Sequence, residues 1–407
     1  MPLHSLYLCY FGLREPLVQT QVLPYLRKLA AAGTKLSLLT FEPATKQWTD
    51  KELVQMRTQL AEQGIAWHSL TYHKRPSMLA TLYDILAGAL LARRLMSNEG
   101  VNVLHARAHV PMAMAMLAAA PKTSIVFDVR GLMAEEYRDA GIWNENSLAF
   151  RLVKKLERAG LKRANQVVVL TRRMREWIAS ERLTTPEKVE VIPCCVDQER
   201  FATTCDPDIS DTTDRFEIIY AGSLVGLYMV EEMGRLFRAI KERQPNAFLR
   251  ILSVSPPEAG ASQLVRAGLS DDDFWIGPVP PGDVPSYLRR ARIGISFRKA
   301  TFAQIAASPT KIPEYLAAGI PVVSNAGIGD VDDLLTTEKV GVIVREFDEA
   351  GYSRAADGVL VLAAESEIRS RCKEVARRFF DLDEVGGRRY REVYGRLEAE
   401  QESSSAR

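Results

Sequence analysis

Short apolar runs rich in β-branched residues recur along the chain and alternate with longer segments of helical periodicity. Continuous rather than alternating apolarity predicts strands buried on both faces, as in a parallel sheet covered by helices. Two series of such runs occur: SLYLCYF (5–11), KLSLLTF (35–41), VNVLHA (101–106), SIVFDV (124–129), QVVVLT (166–171) and KVEVIP (188–193), then FEIIYAGS (216–223), FLRILSV (248–254), FWIG (274–277), IGISF (293–297), PVVSN (321–325) and GVIV (341–344). The sequence therefore predicts two doubly wound α/β domains.

A polar stretch separates the two series. Residues 202–215 hold aspartate clusters without periodicity, which is typical of a linker. We predict an N-terminal domain over residues 1–205, a C-terminal domain over 216–375, and a charged helical segment over 376–407 that crosses back to the N-terminal domain. Ligands of doubly wound domains bind at the carboxyl ends of the strands, so one site is expected in the cleft between the domains.

Composition limits the partners. The chain has 407 residues and a formal net charge of +2, so we expect no nucleic-acid partner. The N-terminus lacks the features of a secretory signal, and the apolar stretches are shorter than the ~18–20 residues that span a bilayer. We therefore expect a cytoplasmic protein. The aspartates at 271–273 indicate helix capping or solvated acids, and no essential metal is predicted.

The segment SPTKIPEYLAAGIPVVSN (308–325) carries the most chemical information. Ser308 and the following proline predict a helix start, because Ser is a favoured N-cap and Pro is tolerated in the first turn. Gly319 predicts the helix end. Lys311 and Glu314 are three residues apart and share one helix face. They suit either a nucleoside diphosphate, with the cation beside phosphate and the carboxylate beside ribose, or an ordinary exposed ion pair.

This segment resembles the nucleotide-sugar motif of retaining GT-B glycosyltransferases of the family 4 kind (glycosyl transferases group 1). In that family a Glu ahead of an A-x-G-x-P-V-V turn binds the donor ribose, which implies this role for Glu314. A second glutamate usually precedes it by eight positions and touches the sugar ring, but here that position is Ala306. Ser308 and Thr310, with their amides, are the candidates to replace it. The stretch VIPCCVDQERF (191–201) resembles a further signature of these enzymes.

The resemblance implies a GT-B fold with two Rossmann-like domains. It also implies transfer of a sugar from a UDP- or GDP-linked donor to the hydroxyl of a glycan, a lipid-linked or a small-molecule acceptor, with retention and without a further cofactor. A sugar-nucleotide epimerase of the same fold and a binding protein with a decayed site are the alternatives. A nicotinamide dehydrogenase is disfavoured, because no GxGxxG opens the first helix of either domain.

Gly222 lies in a turn between a predicted strand and a predicted helix, another phosphate-binding shape. The family often has an Arg directly after this glycine and a Lys five residues later, whereas this chain has Ser223 and Tyr228. We expect the diphosphate charge to be met by the amides of Gly222 and Ser223, by Lys311 and by Arg298. For Arg298, an ordinary surface position is the alternative.

Two further stretches resemble donor-binding parts of the family. Gly277 to Val279 follow a predicted strand where the family pairs backbone with the base, so both residues are base-edge candidates. The first loop matches the place of a glycine-rich turn that faces the donor diphosphate. Gly12 is the glycine that remains there, and Arg14 is a candidate substitute cation.

Charged side chains gather where the predicted strand SIVFDV ends, a position at which doubly wound domains place functional groups. Asp128, Arg130 and Glu135 are the catalytic candidates, which could orient an acceptor hydroxyl or stabilise the departing phosphate. A solvated loop with local ion pairs is the alternative. His105 and His109, after the preceding strand, are more typical of structural histidines.

Basic residues cluster on two predicted helices, at 151–163 and 172–177. Their apolar companions suggest contact with an anionic membrane surface near a lipid-linked acceptor. A charge-rich solvated face is the alternative.

Overall fold

The structure is a computed structural model, and it describes four stretches of the chain: residues 3–44, 48–75, 77–202 and 215–405. The chain divides into two compact units: unit 1 comprises Met1–Pro193 with Asp383–Arg407, and unit 2 comprises Cys194–Leu382. Each unit contains one parallel β-sheet flanked by helices. The predicted doubly wound α/β fold with two Rossmann-like domains is confirmed.

Unit 1 has a seven-stranded sheet in the order β3-β2-β1-β4-β5-β6-β7. Its strands are β1 (His4–Cys9), β2 (Lys35–Pro43), β3 (Ile65–Tyr72), β4 (Val103–Arg107), β5 (Ser124–Asp128), β6 (Gln166–Val169) and β7 (Val189–Val191). The edge strand β3 is absent from the predicted series. Ile65 and Trp67 of this strand are buried and Ala66 is exposed, so its apolarity alternates and the search for continuous runs misses it.

Helices cover both faces of this sheet. They are α1 (Pro16–Gln21), α2 (Leu23–Ala31), α3 (Asp50–Glu62), α4 (Ser77–Glu99), α5 (His109–Ala118), α6 (Met133–Asp139), α7 (Leu148–Arg163), α8 (Arg172–Ser180) and α17 (Arg388–Ser405). The C-terminal α17 is fixed in unit 1 by Tyr394, whose hydroxyl lies 2.8 Å from Ser5 Oγ and 3.0 Å from His105 Nδ1. In the described stretches, no helix of either unit is long and apolar enough to cross a membrane.

Unit 2 has a six-stranded sheet in the order β10-β9-β8-β11-β12-β13. Its strands are β8 (Phe216–Ala221), β9 (Ala247–Leu252), β10 (Phe274–Gly277), β11 (Ile293–Ser296), β12 (Val322–Asn325) and β13 (Gly341–Val344). Its helices are α9 (Glu199–Ala202), α10 (Val230–Lys241), α11 (Glu258–Arg266), α12 (Val284–Arg290), α13 (Lys311–Ala317), α14 (Val331–Thr337), α15 (Glu349–Ala364) and α16 (Ile368–Phe380). The predicted strands of the second series all appear.

The boundaries of the units differ from the predicted ones. The first lies at Pro193 rather than at 205, and the second at Leu382 rather than at 375. Backbone pairing explains both, because the Val196 amide donates to Phe380 and the Leu382 amide donates to the Val196 carbonyl. Residues 203–214 of the predicted linker lie outside the described residues.

Candidate functional site

The sheet of unit 2 reverses its strand order between β8 and β11, which is where open α/β sheets bind ligands. Tyr315 of α13 joins the ends of these two strands. Its hydroxyl accepts a hydrogen bond from the Ala221 amide at 2.8 Å and donates to the Ile295 carbonyl at 3.4 Å. Its ring lies against Gly294, where a Cβ would collide with it. These contacts fix α13, and with it Lys311 one turn earlier, at the switch point.

The start of α13 differs from the prediction. The helix begins at Lys311, and Ser308 is not its N-cap, because the Ser308 Oγ accepts the Cys194 amide at 3.1 Å. Thr310, directly before the helix, makes no side-chain cap hydrogen bond. The helix end is as predicted: Gly319 has φ +80°, and the amide after it donates to Tyr315.

The ammonium of Lys311 lies between aromatic rings and the glycine turn after β8. Its Nζ is 4.6 Å from the ring centroid of Tyr228 and 4.9 Å from that of Tyr220. Gly222 has φ +148°, and a Cβ there would lie 3.2 Å from Lys311 Nζ. This position therefore requires glycine both for its backbone conformation and for the space that the ammonium occupies.

Arg298 approaches the same tyrosine from the end of β11. Its guanidinium carbon is 5.3 Å from the Tyr228 ring centroid. Asn325 holds its backbone, since the Arg298 amide donates to Asn325 Oδ1 and Asn325 Nδ2 donates to the Arg298 carbonyl, both at 2.8 Å. Tyr228 and Arg298 also form an antiparallel bridge. Two cations thus share one aromatic ring, an arrangement that stabilises positive charge only in part.

The charges at this site are unbalanced. In the described stretches, neither Lys311 nor Arg298 forms a salt bridge, and the buried Nε of Arg298 has no hydrogen-bond partner. Burial, reinforced by Arg298, lowers the pKa of Lys311 to about 7. Glu314 opposes this shift but forms no salt bridge with Lys311 in the described stretches. A buried cation without a salt-bridged carboxylate is costly, and an anionic ligand would supply a closer counter-charge. We call Lys311, Arg298 and Tyr228 the cation site.

Glu314 lies one turn further along α13. Its carboxylate is partly buried, and burial raises its pKa while Arg200 and Lys311 oppose the rise. Lys311 is buried and forms no salt bridge with Glu314 among the described residues, so the exposed ion pair considered as an alternative does not occur. Neither side chain is therefore taken up by a salt bridge to the other.

A buried glutamine between β11 and α13 was not predicted from the sequence. Gln304 lies on a 3-10 helix (Phe302–Ala306) between β11 and α13, is fully buried, and has no partner within the described stretches for either Oε1 or Nε2. The buried hydroxyls of Ser296 and Thr301 also lack a hydrogen-bond partner in the described stretches. Each such atom costs about 1–3 kcal/mol, so these unpartnered atoms are candidates to bind polar ligand groups. The signal in the sequence is a polar residue two positions before Ala306.

Two family models match the chain in tandem: Glycosyltransferase Family 4 over residues 18–200 and Glycosyl transferases group 1 over residues 206–379. Together they span nearly the whole sequence. The chain is a GT-B glycosyltransferase. No curated protein sequence matches it.

Solved structures of the same fold resemble the glycosyltransferase over almost its full length. A glycosyltransferase from Rickettsia africae has a TM-score of 0.70 at 13% identity, covering 97% of this chain and 98% of that one. Sucrose-phosphate synthase from Thermosynechococcus elongatus has a TM-score of 0.69 at 16% identity, covering 96% and 99%. Anabaena HepE in complex with UDP and glucose has a TM-score of 0.66 at 13% identity, covering 96% and 99%. At these identities the similarity shows the fold.

Backbone groups of the glycosyltransferase that were expected to face the donor are partly engaged within unit 2. The Gly222 amide donates to the Leu252 carbonyl at 2.9 Å, so it is not a spare phosphate ligand. The Ser223 Oγ accepts the Val225 amide at 3.3 Å, which shapes the turn. The glycine at 222 is thus explained by the room it leaves for Lys311.

The predicted base-edge stretch is engaged at its first residue. The Gly277 carbonyl accepts the Ser253 amide at 2.9 Å, and a Cβ on Gly277 would lie 2.5 Å from the Trp275 ring. Val279 is partly buried and packs against the core of unit 2.

The two candidates in the first loop have partners within unit 1. Arg14 forms a salt bridge of 2.6 Å with Glu52 and lies 3.8 Å above the ring of Trp48, so it is not a spare cation. A Cβ on Gly12 would lie 2.8 Å from Pro43 Cδ, which explains the glycine by packing.

Asp128 lies at the centre of a buried cluster at the strand ends of unit 1. Its carboxylate accepts from Tyr390 at 3.1 Å and Tyr7 at 3.4 Å, and lies 3.5 Å from Arg107 and 3.4 Å from Arg130. Burial opposes its ionisation, but the charges of Arg130 and Arg107 hold its pKa well below the usual range. Because the carboxylate is fully buried, its geometry supports a role in positioning Arg130 rather than contact with a substrate.

Glu135 is separate from this cluster. It forms a salt bridge of 2.7 Å with Lys154, and its buried Oε2 has no hydrogen-bond partner in the described stretches. His109 pairs with the buried Glu157 at 3.1 Å, and burial lowers the pKa of His105. The structure therefore brings together Asp128 and Arg130 but not Glu135, and both histidines are internal.

Proposed function

We propose that this glycosyltransferase transfers a sugar from a UDP- or GDP-linked donor to the hydroxyl of a glycan, a lipid-linked or a small-molecule acceptor, with retention and without a metal ion. The observation that carries the proposal is the cation site of unit 2, where Lys311 and Arg298 have no carboxylate partner in the described stretches. HepE, a neighbour of the same fold, was solved with UDP and with UDP-glucose, which supports a nucleotide-sugar donor.

The diphosphate is proposed to bind at the cation site. Its negative charge would stabilise the protonated form of Lys311, whose pKa is lowered to about 7 in the structure. Arg298 adds a fixed positive charge. As the bond to the sugar breaks, charge develops on the departing diphosphate, and cations already in place stabilise it without reorganisation.

Glu314 is proposed to accept hydrogen bonds from the ribose hydroxyls, one turn beyond the phosphate contact. Burial raises its pKa, and Arg200 and Lys311 favour the ionised form that accepts from both hydroxyls. The base is proposed to meet the backbone between Gly277 and Val279, a contact that leaves the choice between uracil and guanine to experiment.

Gln304 is proposed to contact the sugar in place of the acid that is missing at Ala306. Its buried amide offers one acceptor and two donors, which suits neighbouring hydroxyls. Ser308 is engaged by Cys194, so Thr310 is the remaining candidate of the predicted pair.

On the acceptor side, we propose Arg130 as the group that meets the acceptor or the departing phosphate. Its guanidinium is 11% exposed and is held by Asp128. In a retaining mechanism without an enzymic nucleophile, the acceptor attacks the face from which the diphosphate leaves, so positioning and charge neutralisation lower the barrier. Peripheral membrane contact through the basic helices 151–163 and 172–177 belongs to the same proposal.

Calorimetric titration with UDP and GDP tests the donor site directly. We expect one of the two to bind, and failure of both would overturn the proposal. Product analysis with a panel of nucleotide sugars then separates the alternatives. Transfer to an acceptor supports the transferase, release of an epimerised sugar would indicate the epimerase, and binding without any turnover would indicate a decayed site.

A further inference from the structure

The outer face of α4 carries an exposed apolar surface. Six large apolar side chains on this helix are between 48% and 68% exposed: Met78, Leu79, Leu82, Tyr83, Leu86 and Leu90. Their spacing places them on one face, because residues three and four apart are neighbours on a helix. We call these six residues the α4 apolar face. A contiguous exposed apolar surface is typical of a contact with another protein or with a membrane.

The buried side of α4 consists mainly of small residues. Ala80, Gly88 and Ala92 are buried, and a Cβ on Gly88 would lie 2.6 Å from the Met114 sulfur of α5. The larger apolar side chains therefore point away from the core. A helix that only covers a sheet would turn them toward it. Packing within unit 1 does not explain them.

Positive charge surrounds this face. Exposed cations lie just before α4, at Lys74 and Arg75, and near its end, at Arg94. The acidic residues of α4 are Asp84, which is buried, and Glu99, which is exposed at the end of the helix. Helix α7 packs, like α4, against α5, and it carries exposed cations of its own: Arg151, Lys155, Arg158 and Lys162.

We propose that α4 lies flat on an anionic lipid membrane, with its apolar face in the interface and the surrounding cations at the lipid phosphates. This inference deepens the membrane contact of the proposed function by naming the surface that docks. A second copy of the chain fits this surface less well. In a twofold dimer with antiparallel α4 helices, Lys74 and Arg75 of one copy would lie opposite the end of α4 in the other. The exposed Arg93 and Arg94 outnumber Glu99 there, so repulsion between like charges dominates.

Vesicle flotation with the full chain tests the proposal. We expect the protein to float with vesicles of phosphatidylcholine containing phosphatidylglycerol, and to stay in solution with phosphatidylcholine alone. Combining Leu86→Gln with Leu90→Gln is expected to lower vesicle binding more than tenfold. The matched control is Val54→Gln, which removes a 64% exposed apolar side chain on α3 and should leave binding unchanged.

Charge substitutions test the electrostatic part. Arg94→Glu is expected to weaken binding to the anionic vesicles several-fold, whereas Arg57→Glu, an exposed site on α3, should have little effect. Added salt should weaken binding as well, because it screens surface charges.

Three outcomes would overturn the proposal: no flotation of the native protein with anionic vesicles, equal binding by the double glutamine variant, or equal loss in the α3 control. A variant that loses self-association in light scattering but keeps vesicle binding would assign the face to a second copy instead. The double variant should keep the native circular dichroism spectrum and UDP or GDP affinity, so failure here is distinguishable from failure of the donor site.

Discussion

The strand ends of the two units carry cations in opposite electrostatic settings. In unit 1, Arg107 and Arg130 share the carboxylate of Asp128. In unit 2, Lys311 and Arg298 share an aromatic ring and have no salt bridge in the described stretches. A buried cation beside an acid is accounted for by the fold, whereas one without an acid needs a counter-charge from elsewhere. We therefore expect the anionic ligand in unit 2 and a positioning role for the cluster in unit 1.

The largest expected effect is on stability in unit 1. Asp128→Asn removes the buried carboxylate that lies between Arg107 and Arg130, which should lower the free energy of unfolding by about 3–5 kcal/mol. Urea unfolding measures the change. The matched control is Asp383→Asn, since Asp383 also pairs with two cations, Lys28 and Arg391, but is 45% exposed. The control should lose at most about 1 kcal/mol. If both variants lost a similar amount of stability, burial of the Asp128 cluster would not be what makes its carboxylate important.

Lys311→Met tests the buried cation of unit 2, which has no salt bridge in the described stretches. Removing a buried cation without an acid should not lower the free energy of unfolding, but it should weaken nucleoside diphosphate binding by about 1.5–3 kcal/mol, roughly ten- to 150-fold. Calorimetry and urea unfolding measure the two quantities. Lys373→Met removes an exposed cation of the same unit and should leave affinity unchanged. Destabilisation without loss of affinity would make Lys311 a structural residue.

The pH dependence follows from the same lysine. Its pKa is lowered to about 7 in the folded protein, so the unfolded chain binds the proton more tightly. Its contribution to stability should rise as the pH increases from 7 toward the ordinary lysine pKa of about 10.4. Nucleotide affinity should fall over the same window, by up to about tenfold per pH unit. Lys311→Arg should bind without this slope, and an unchanged slope in that variant would assign the titration to another group.

Glu314→Gln is expected to weaken nucleoside diphosphate binding by about 1 kcal/mol, roughly fivefold, because the amide accepts weaker hydrogen bonds than the carboxylate. The 2′-deoxy nucleotide provides the control. The native protein should prefer the ribonucleotide, and the variant should lose most of that preference. If the preference persists, the ribose is held by another residue.

The sequence predicts the fold well because burial on both faces leaves a continuous apolar run, and it fails at β3 because that edge strand alternates. The spacing puts Lys311 and Glu314 on one helix face, whereas the ribose role of Glu314 is implied by the family resemblance and stays a prediction. The sequence misplaces the helix start at Ser308, whose hydroxyl is engaged by Cys194, 114 residues away along the chain. It names Asp128 as a catalytic candidate but does not reveal that this carboxylate is enclosed, because a strand-end acid looks the same in sequence whether it faces a substrate or is buried. Contacts between distant segments decide both cases.

Gln304 could not be predicted from the sequence for a similar reason. Only its burial without hydrogen-bond partners in the described stretches distinguishes it from other glutamines. Gln304→Leu should leave the free energy of unfolding unchanged or slightly raised, because the two unpartnered polar atoms are removed. Affinity for the free nucleotide should stay the same, whereas affinity for the nucleotide sugar and turnover should fall. The control is Gln263→Leu on α11, which should change neither nucleotide-sugar affinity nor turnover. If the variant loses affinity for the nucleotide and for the nucleotide sugar equally, Gln304 contacts the phosphates rather than the sugar. It would then act together with Lys311 and Arg298 of the cation site.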